Sequence, residues 1–484
     1  MNCDSVSGFK WIFKKYDEEY VKYLKNNHSL DEITSRLLAI RNIKKENIKN
    51  YIDPKIKNIL PNPNVLIDMD KACLRIYDSI IKNEKIAIFG DYDVDGAASS
   101  ALLGNYFKLI KQDYEVYIPD RQKEGYGPSI NGFKKLIENN SKLILTVDCG
   151  TASFEPIEYA NSKNIDVLIL DHHQAELRLP NAHSIINPNR LDDSSNLNYL
   201  CASGVCYMFL ISLNKLLREK KWFINKNVKE PNLIEFLDLV SLGTICDVVP
   251  LVGLNRAIVK QGLKILNNKK NIGLKSLLDI CKIETKVSTY HMGFILGPRI
   301  NAGGRVGKCN LGANLLLNID SKKAFSIASQ LDIFNKERQL LEKDLLDKAL
   351  LKINDTIDPI IVLAGDNWHE GIIGIVASRI KDKFNKPTFI ISIKNNVGKC
   401  SARSVPGYDV GSLILSAVQC NVLVKGGGHK MAGGFTIDEN QIDNFKNYAI
   451  KKFKKSNKDL SNTRKVLIDS IISPSALNID FYNK

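Results

Sequence analysis

Three carboxylates, Asp91, Asp93 and Asp95, stand at alternate positions directly after the apolar run Ile86-Ala87-Ile88-Phe89-Gly90, and Gly96 follows them. Carboxylates that close repel one another unless a cation sits among them. An all-oxygen set favours a hard ion such as Mg²⁺, Mn²⁺ or Ca²⁺. The apolar run reads as a buried strand, and residues 97–110, rich in Ala and Leu, read as a helix. The acids therefore lie at a strand-to-helix turn. Asp91, Asp93, Asp95 and Gly96 also match positions 1, 3, 5 and 6 of an EF-hand loop, but position 12 is Leu102 where a bidentate Glu belongs. An EF-hand needs a helix before its loop, and a strand precedes this one.

Matching residues recur downstream. Strands are expected at 115–118, 143–147 and 167–170, with helices at 129–139 and 154–163. Alternating strands and helices imply a parallel sheet covered on both faces. The first strand leads into Asp91, the third into Asp148-Cys149-Gly150 and the fourth into Asp171-His172-His173. Open parallel sheets bind ligands at the carboxyl ends of their strands, so three strand ends deliver Asp and His to one edge. Asp247, a lone acid within the apolar stretch 242–250, needs a partner or a metal if buried. Carboxylate and imidazole without thiolate suit Mn²⁺ or Mg²⁺ better than structural zinc; Cys149 and Cys246 are read as packing residues. Asp91, Asp93, Asp95, Asp148, His172, His173 and Asp247 are too many ligands for one ion. Two ions about 4 Å apart, bridged by a carboxylate such as Asp148, would activate a water and stabilise a leaving oxygen, which is phosphoester hydrolysis.

Other stretches read as substrate contacts. The loop 119–128 faces the same edge, with Arg121 suited to a phosphate and Tyr126 to a base or sugar; an ordinary Gly/Pro loop is the bland alternative. Arg299 and Arg305 flank what reads as a Gly-rich turn with a phosphate-binding surface. Residues 321–353 have helical periodicity and both signs of charge, as a long helix between two lobes would. A second α/β lobe follows, with strands at 359–364 and 388–393, a helix at 373–383 and a further strand reaching Ser401 and Arg403. Five glycines surround His429 and Lys430 in the stretch 426–434, which reads as a loop whose backbone closely approaches a ligand. A final strand is expected at 465–472.

The fold class is thus α/β with two lobes. The expected parts are a helical lead-in over 1–60 packed on the first lobe, a catalytic domain over 61–260, a helical connector over 261–355, a substrate-binding domain over 356–455 and a short tail over 456–484. The chain has 484 residues and a formal net charge of +15. The basic excess suits a polyanionic partner, although a generally solvated basic surface would carry it too. Ten cysteines are scattered without a C-x-x-C pair, the habit of reduced cytosolic thiols. The longest apolar stretch, 233–254, holds Glu235, Asp238 and Asp247, so no membrane span is expected, and the cytoplasm is the expected compartment.

The stretches 91–96, 147–150, 170–173 and 243–250 resemble the four motifs of the DHH phosphoesterase superfamily, and 427–433 resembles its DHH-associated domain. Residues 298–305, 374–379 and 124–127 narrow the resemblance to the RecJ family of single-strand-specific DNA exonucleases. The resemblance covers about 60–440. It implies two Mn²⁺ or Mg²⁺ ions held by Asp91, Asp93, Asp95, Asp148, His172 and Asp247, with His173 on the scissile phosphate. It also implies substrate contacts from Arg121, Tyr126, Arg299, Asn301, Arg305, Ser378, Arg379, Ser401, Arg403 and His429. Single-stranded DNA would be cut 5′ to 3′ to mononucleotides in repair and recombination, alongside single-strand-binding protein and a helicase, by a monomer. The long helix would leave a cleft that admits only a single strand. Family members usually continue into an OB-fold, and about 30 residues after 455 are too few for one, so affinity and processivity on long strands are expected to differ. Two alternatives are a DHH enzyme for short oligonucleotides or cyclic dinucleotides, and a truncated DNA-binding relative without activity. No metal-type residue is missing, which weighs against the second.

Overall fold

The computed structural model describes residues 3–4, 9–121, 123–353, 358–455 and 464–483. Gln122 of the expected substrate loop and residues 456–463 of the expected tail lie outside them. The chain divides into two compact units, residues 54–340 and residues 1–53 with 341–484.

Five parallel strands form the centre of the first unit, in the order Tyr114–Tyr117, Ile86–Gly90, Leu143–Val147, Asp166–Leu170, Ser184–Ile186. Ile86–Gly90 and Leu143–Val147 are buried at every residue, the pattern of parallel strands covered on both faces. Successive side chains point to opposite faces. Ile86, Ile88, Leu143 and Leu145 pack on one side with Ile76, Tyr106, Phe107 and Leu213. Ala87, Phe89 and Ile144 pack on the other with Phe133, Leu136 and Ile157.

The helix Val94–Leu109 is buried almost all round. Its small residues Ala97, Ala98 and Ala101 face a second helical core containing Leu242, Leu277, Leu296, Ile300 and Leu331. Residues 261–340, read from sequence as part of a connector, are thus packed into the first unit. The stretch expected to be a Gly-rich turn is the helix Gly297–Val306, entered from a π-helical segment His291–Leu296. Its glycines give room: a Cβ at Gly304 would lie 3.1 Å from the Tyr92 carbonyl oxygen.

The second unit holds a five-stranded sheet in the order Lys425–His429, Ala432–Asp438, Val397–Arg403, Thr388–Lys394, Ile361–Asp366. Only the last pair is parallel. The stretch 426–434, expected to be a loop, is an antiparallel hairpin in which Gly427 faces Gly434 and His429 faces Ala432. Glycine is needed there for packing: a Cβ at Gly433 would lie 2.5 Å from Ile414 Cδ1, on the helix Val410–Gln419. The N-terminal segment groups with this unit, not with the first as expected. Its strand Phe9–Phe13 pairs in parallel with Arg464–Ile468, which overlaps the strand expected at 465–472; the pairing itself has no local signature. The expected long helix is Ser321–Leu351, which contains the division between the units at 340/341.

One buried acid lies apart from the strand ends. Asp238, in the first turn of Leu237–Cys246, is pushed up to about 7 by burial. A carboxyl whose folded pKa is raised stabilises fully below the unfolded pKa near 4 and loses that contribution as pH climbs through 7. Asp238→Asn should therefore gain stability at pH 8 relative to the parent, by up to roughly 4 kcal/mol, and match it at about pH 3. Urea midpoints at the two pH values measure this.

Candidate metal centre

The strand order places a topological switch between Ile86–Gly90 and Leu143–Val147, where a parallel sheet opens a crevice at its carboxyl edge. Asp91 and Asp148 follow those two strands. Gly90 pairs with Val147 and Val147 with Leu170, so the residues after them stand side by side. The Asp91 amide donates to Val147 O at 3.3 Å and the Asp148 amide to Leu170 O at 3.0 Å, extending the ladder to the acids themselves.

Asp93 caps the helix Val94–Leu109, its Oδ1 accepting from the Asp95 and Gly96 amides at 2.8 and 3.0 Å. Gly96 is obligatory for this entry, since a Cβ would lie 2.4 Å from Asp91 O. Asp95 points into the start of another helix, Ala202–Glu219, and accepts from the amides of Ala202 at 2.6 Å and Ser203 at 3.1 Å. The positive end of that helix favours the carboxylate. Gly243 leaves it space, because a Cβ there would lie 2.3 Å from Asp95 Oδ1. Asp247 ends the helix Leu237–Cys246.

These elements bring all seven sequence-predicted metal-centre residues together. Potential ligand atoms lie within 4.8 Å of one another in three overlapping sets: Asp91 with Asp93 and Asp148, Asp95 with His172 and Asp247, and Asp148 with His172 and His173. His172 Nε2 is 3.3 Å from Asp148 Oδ1 and 3.5 Å from Asp247 Oδ2. Asp91 Oδ1, Asp148 Oδ1 and His172 Nε2 are nevertheless buried without a hydrogen-bond partner. Burial and neighbouring Asp charges push Asp91 and Asp148 well above the usual carboxylate range. Burial, then Asp95 and Asp93, push Asp247 to about 8. Buried anions facing one another with orphaned lone pairs are what a divalent cation relieves, so the residues present fit Mn²⁺ or Mg²⁺.

Backbone strain is stored at the same place. Asp148 has φ 61° and Val248, directly after Asp247, has φ 60°. Left-handed backbone at non-glycine residues is costly and clusters at functional sites.

Asp171 stands directly before the histidine pair and is buried against it. It accepts from the Thr151, His172 and His173 amides and from His173 Nδ1 at 2.8 Å. Burial alone would lower His173, but this hydrogen bond and charge raise it to about 9. The sequence signal was available, since an Asp directly before a His pair is placed to orient it. Tyr126 joins the group: its hydroxyl donates to Asp148 O at 3.2 Å and lies 3.1 Å from His173 Nε2. The Arg121 guanidinium lies over the Tyr92 ring at 5.3 Å.

The remaining predicted contacts are placed differently. Arg299 donates to Asp332 Oδ1 and Ile295 O, both at 2.9 Å, so the helix Gly297–Val306 carries it already paired. Asn301 and Arg305 lie on the same helix. In the second unit Ser401 and Arg403 share one face of a strand and touch each other at 3.3 Å. Both lie close to Gly374. Ser378 and Arg379 lie on the helix Glu370–Phe384, where Arg379 pairs with Glu342 at 3.1 Å. His429 is exposed at the end of its hairpin strand.

Residues 85–244 match the family model of the DHH family, N-terminal domain, and residues 358–455 match that of the DHHA1 domain. The fold and the acid-and-imidazole edge are thus those of a DHH-type protein. The chain is 33% identical over 428 residues to the single-stranded-DNA-specific exonuclease RecJ of Salmonella typhimurium, covering 86% of this chain and 74% of that one. The crystal structure of RecJ in complex with Mn²⁺ from Thermus thermophilus superposes with a TM-score of 0.83 at 26% identity, covering 98% of this chain and 66% of that one. A structure of exonuclease RecJ bound to manganese matches with a TM-score of 0.70 at 29% identity, covering 83% and 97%. The chain belongs to the RecJ family.

The fit to a cation is open to direct test. Saturating Mn²⁺ should raise the melting temperature, with about 2.7 kcal/mol of stabilisation at a hundredfold excess over Kd. Asp148→Asn should melt higher than the parent in chelator, having lost a like charge, and should lose most of the Mn²⁺-dependent rise. Differential scanning calorimetry reads both.

Proposed function

We propose that this chain is a metal-dependent exonuclease that hydrolyses single-stranded DNA. The observation that carries the reading is the register row of buried acids at the sheet's switch point, completed by His172 and Asp247 and left with orphaned ligand atoms. Family membership supports it, and the relatives' printed names supply the substrate class.

In this reading Asp91, Asp93, Asp95, Asp148, His172 and Asp247 would hold two divalent ions, Asp95 being itself gripped by two backbone amides. Such ions, when bound, supply an activated water and charge stabilisation on a phosphoryl group. The protein's own groups do the rest. His173, kept protonated by Asp171, presents a positive charge to the scissile phosphate. Tyr126 braces that imidazole and the strained Asp148 backbone. Arg121 offers a guanidinium to the phosphates near the strand end. Ser378, Arg379, Ser401, Arg403 and His429, with Asn301 and Arg305, contact the backbone of the bound strand. Arg299 contributes on exchanging Asp332 for a phosphate.

Digestion from the 5′ end to mononucleotides, action as a monomer in the cytoplasm and work beside single-strand-binding protein and a helicase belong to the same proposal. Among the described residues no helix is long and apolar enough to cross a membrane.

A time course on 5′- and 3′-labelled single-stranded DNA of several lengths, with Mn²⁺, Mg²⁺ or chelator and a duplex control, tests the reading. The expected result is immediate release of the 5′ label as mononucleotide, from single strands only and with metal only. Asp93→Ala should lose more than about a hundredfold in rate, because it removes a ligand and a helix cap together. Cleavage confined to substrates of two to five nucleotides would make the chain an oligonucleotide phosphodiesterase. Binding without cleavage would make it a scaffold.

A further inference from the structure

The row of acids has a fourth member. Gly90, Val147, Leu170 and Ile186 are paired across four adjacent parallel strands, and the residues that follow them are Asp91, Asp148, Asp171 and Asn187. The Asp171 amide donates to Ile186 O at 3.1 Å, so the ladder reaches this last position as it does the others. Asn187 is 1% exposed and is the neutral residue of the row.

Its amide group faces the histidines from behind. Asn187 Nδ2 donates to His173 O at 2.8 Å and to Thr151 Oγ1 at 2.9 Å. Two residues on, Asn189 Nδ2 donates to His172 O. Asn187 Oδ1 accepts from the Asn189 amide at 2.8 Å, which ties the two together. The turn is rigid in its own right: Arg190 donates to Ile185 O at 2.8 Å and to Asp68 Oδ2 at 2.9 Å, and Asp68 Oδ2 also accepts from the Ile185 amide at 2.9 Å. One turn, buried at Asn187 and half-buried at Asn189, thus grips the carbonyls of two consecutive histidines.

We propose that Asn187 and Asn189 are positioning residues that set the directions of the two imidazoles, Asn189 for the metal-holding His172 and Asn187 for His173. The assignment rests on the nuclease reading of the site. A peptide plane fixed at its carbonyl fixes the adjoining Cα–Cβ direction; released, it rotates and swings the ring. A carboxylate at either position would set lone pair against lone pair and add charge to a site already crowded with anions. A neutral donor is what the position requires. Partners of this kind typically change metal affinity by about 10- to 100-fold when removed.

The two residues make separable predictions. Mn²⁺ affinity is measured by calorimetry on the full chain without DNA, and kcat and KM on single-stranded DNA at saturating Mn²⁺. Asn189→Ala should weaken Mn²⁺ binding by about 10- to 100-fold and regain most of its kcat when Mn²⁺ is raised. Asn187→Ala should hold Mn²⁺ within about threefold of the parent and keep a kcat at least about tenfold down, which added metal does not restore. Urea midpoints confirm folding; should Asn187→Ala not fold, Asn187→Ser replaces it. Equal losses of affinity and rate in both variants, or parent-like values in both, overturn the proposal. Weakened Mn²⁺ binding in Asn189→Ala, in a parent that cuts no DNA, would reject the nuclease reading and keep the assignment for Asn189.

Discussion

Buried like charges are the constraint on which the first unit depends. Asp91, Asp95, Asp148 and Asp247 are all pushed up by burial and by other Asp charges. Left alone such a cluster would protonate or open. The fold instead brings it together from four separate elements and anchors Asp91, Asp93, Asp95 and Asp148 through their backbone or side chain. Asp93 is fixed by a helix start it caps, Asp95 by a helix start it meets end-on, and Asp91 and Asp148 by the sheet ladder. The remaining repulsion is directed at one small volume, where a divalent ion converts it into affinity. The same logic accounts for the strained Asp148 and Val248 backbones, since a rigid surround is what allows strain to persist.

The first unit was largely legible in the sequence because its signals are local. Continuous apolar runs such as Ile86–Gly90 mark parallel strands, and a polar residue directly after each run marks the edge. The strand Ser184–Ile186 escaped because three residues between loops carry no periodicity. With it escaped the fourth position of the row. The glycine-rich stretches misled for one physical reason. Glycine serves freedom and closeness equally, and sequence does not distinguish them. Around Gly304 and Gly433 it serves closeness, so the first stretch is helical and the second a hairpin. Arg299 was legible as a phosphate-type residue, but not its partner Asp332, 33 positions away.

The same division between ligand and support runs through the site. Three positions of the register row are acids and one is an amide, and only the first two face the cluster of orphaned atoms. Side chains one strand apart thus do different work because their partners differ: Asp171 meets the His173 ring and Asn187 the His173 carbonyl. Chemistry at the centre is bought with hydrogen bonds at the periphery.

The parallel pairing of Phe9–Phe13 with Arg464–Ile468 has a consequence in time. The later strand leaves the ribosome only after residues 14–463 have been made. At roughly 5–20 residues per second, the wait is on the order of a minute. Throughout it the strand offers an open edge bearing Trp11 and Phe13, both partly exposed even in the finished molecule. An unpaired apolar edge recruits whatever strand comes near. Until residues 464–468 arrive, Phe9–Phe13 is therefore exposed to mispairing along that edge.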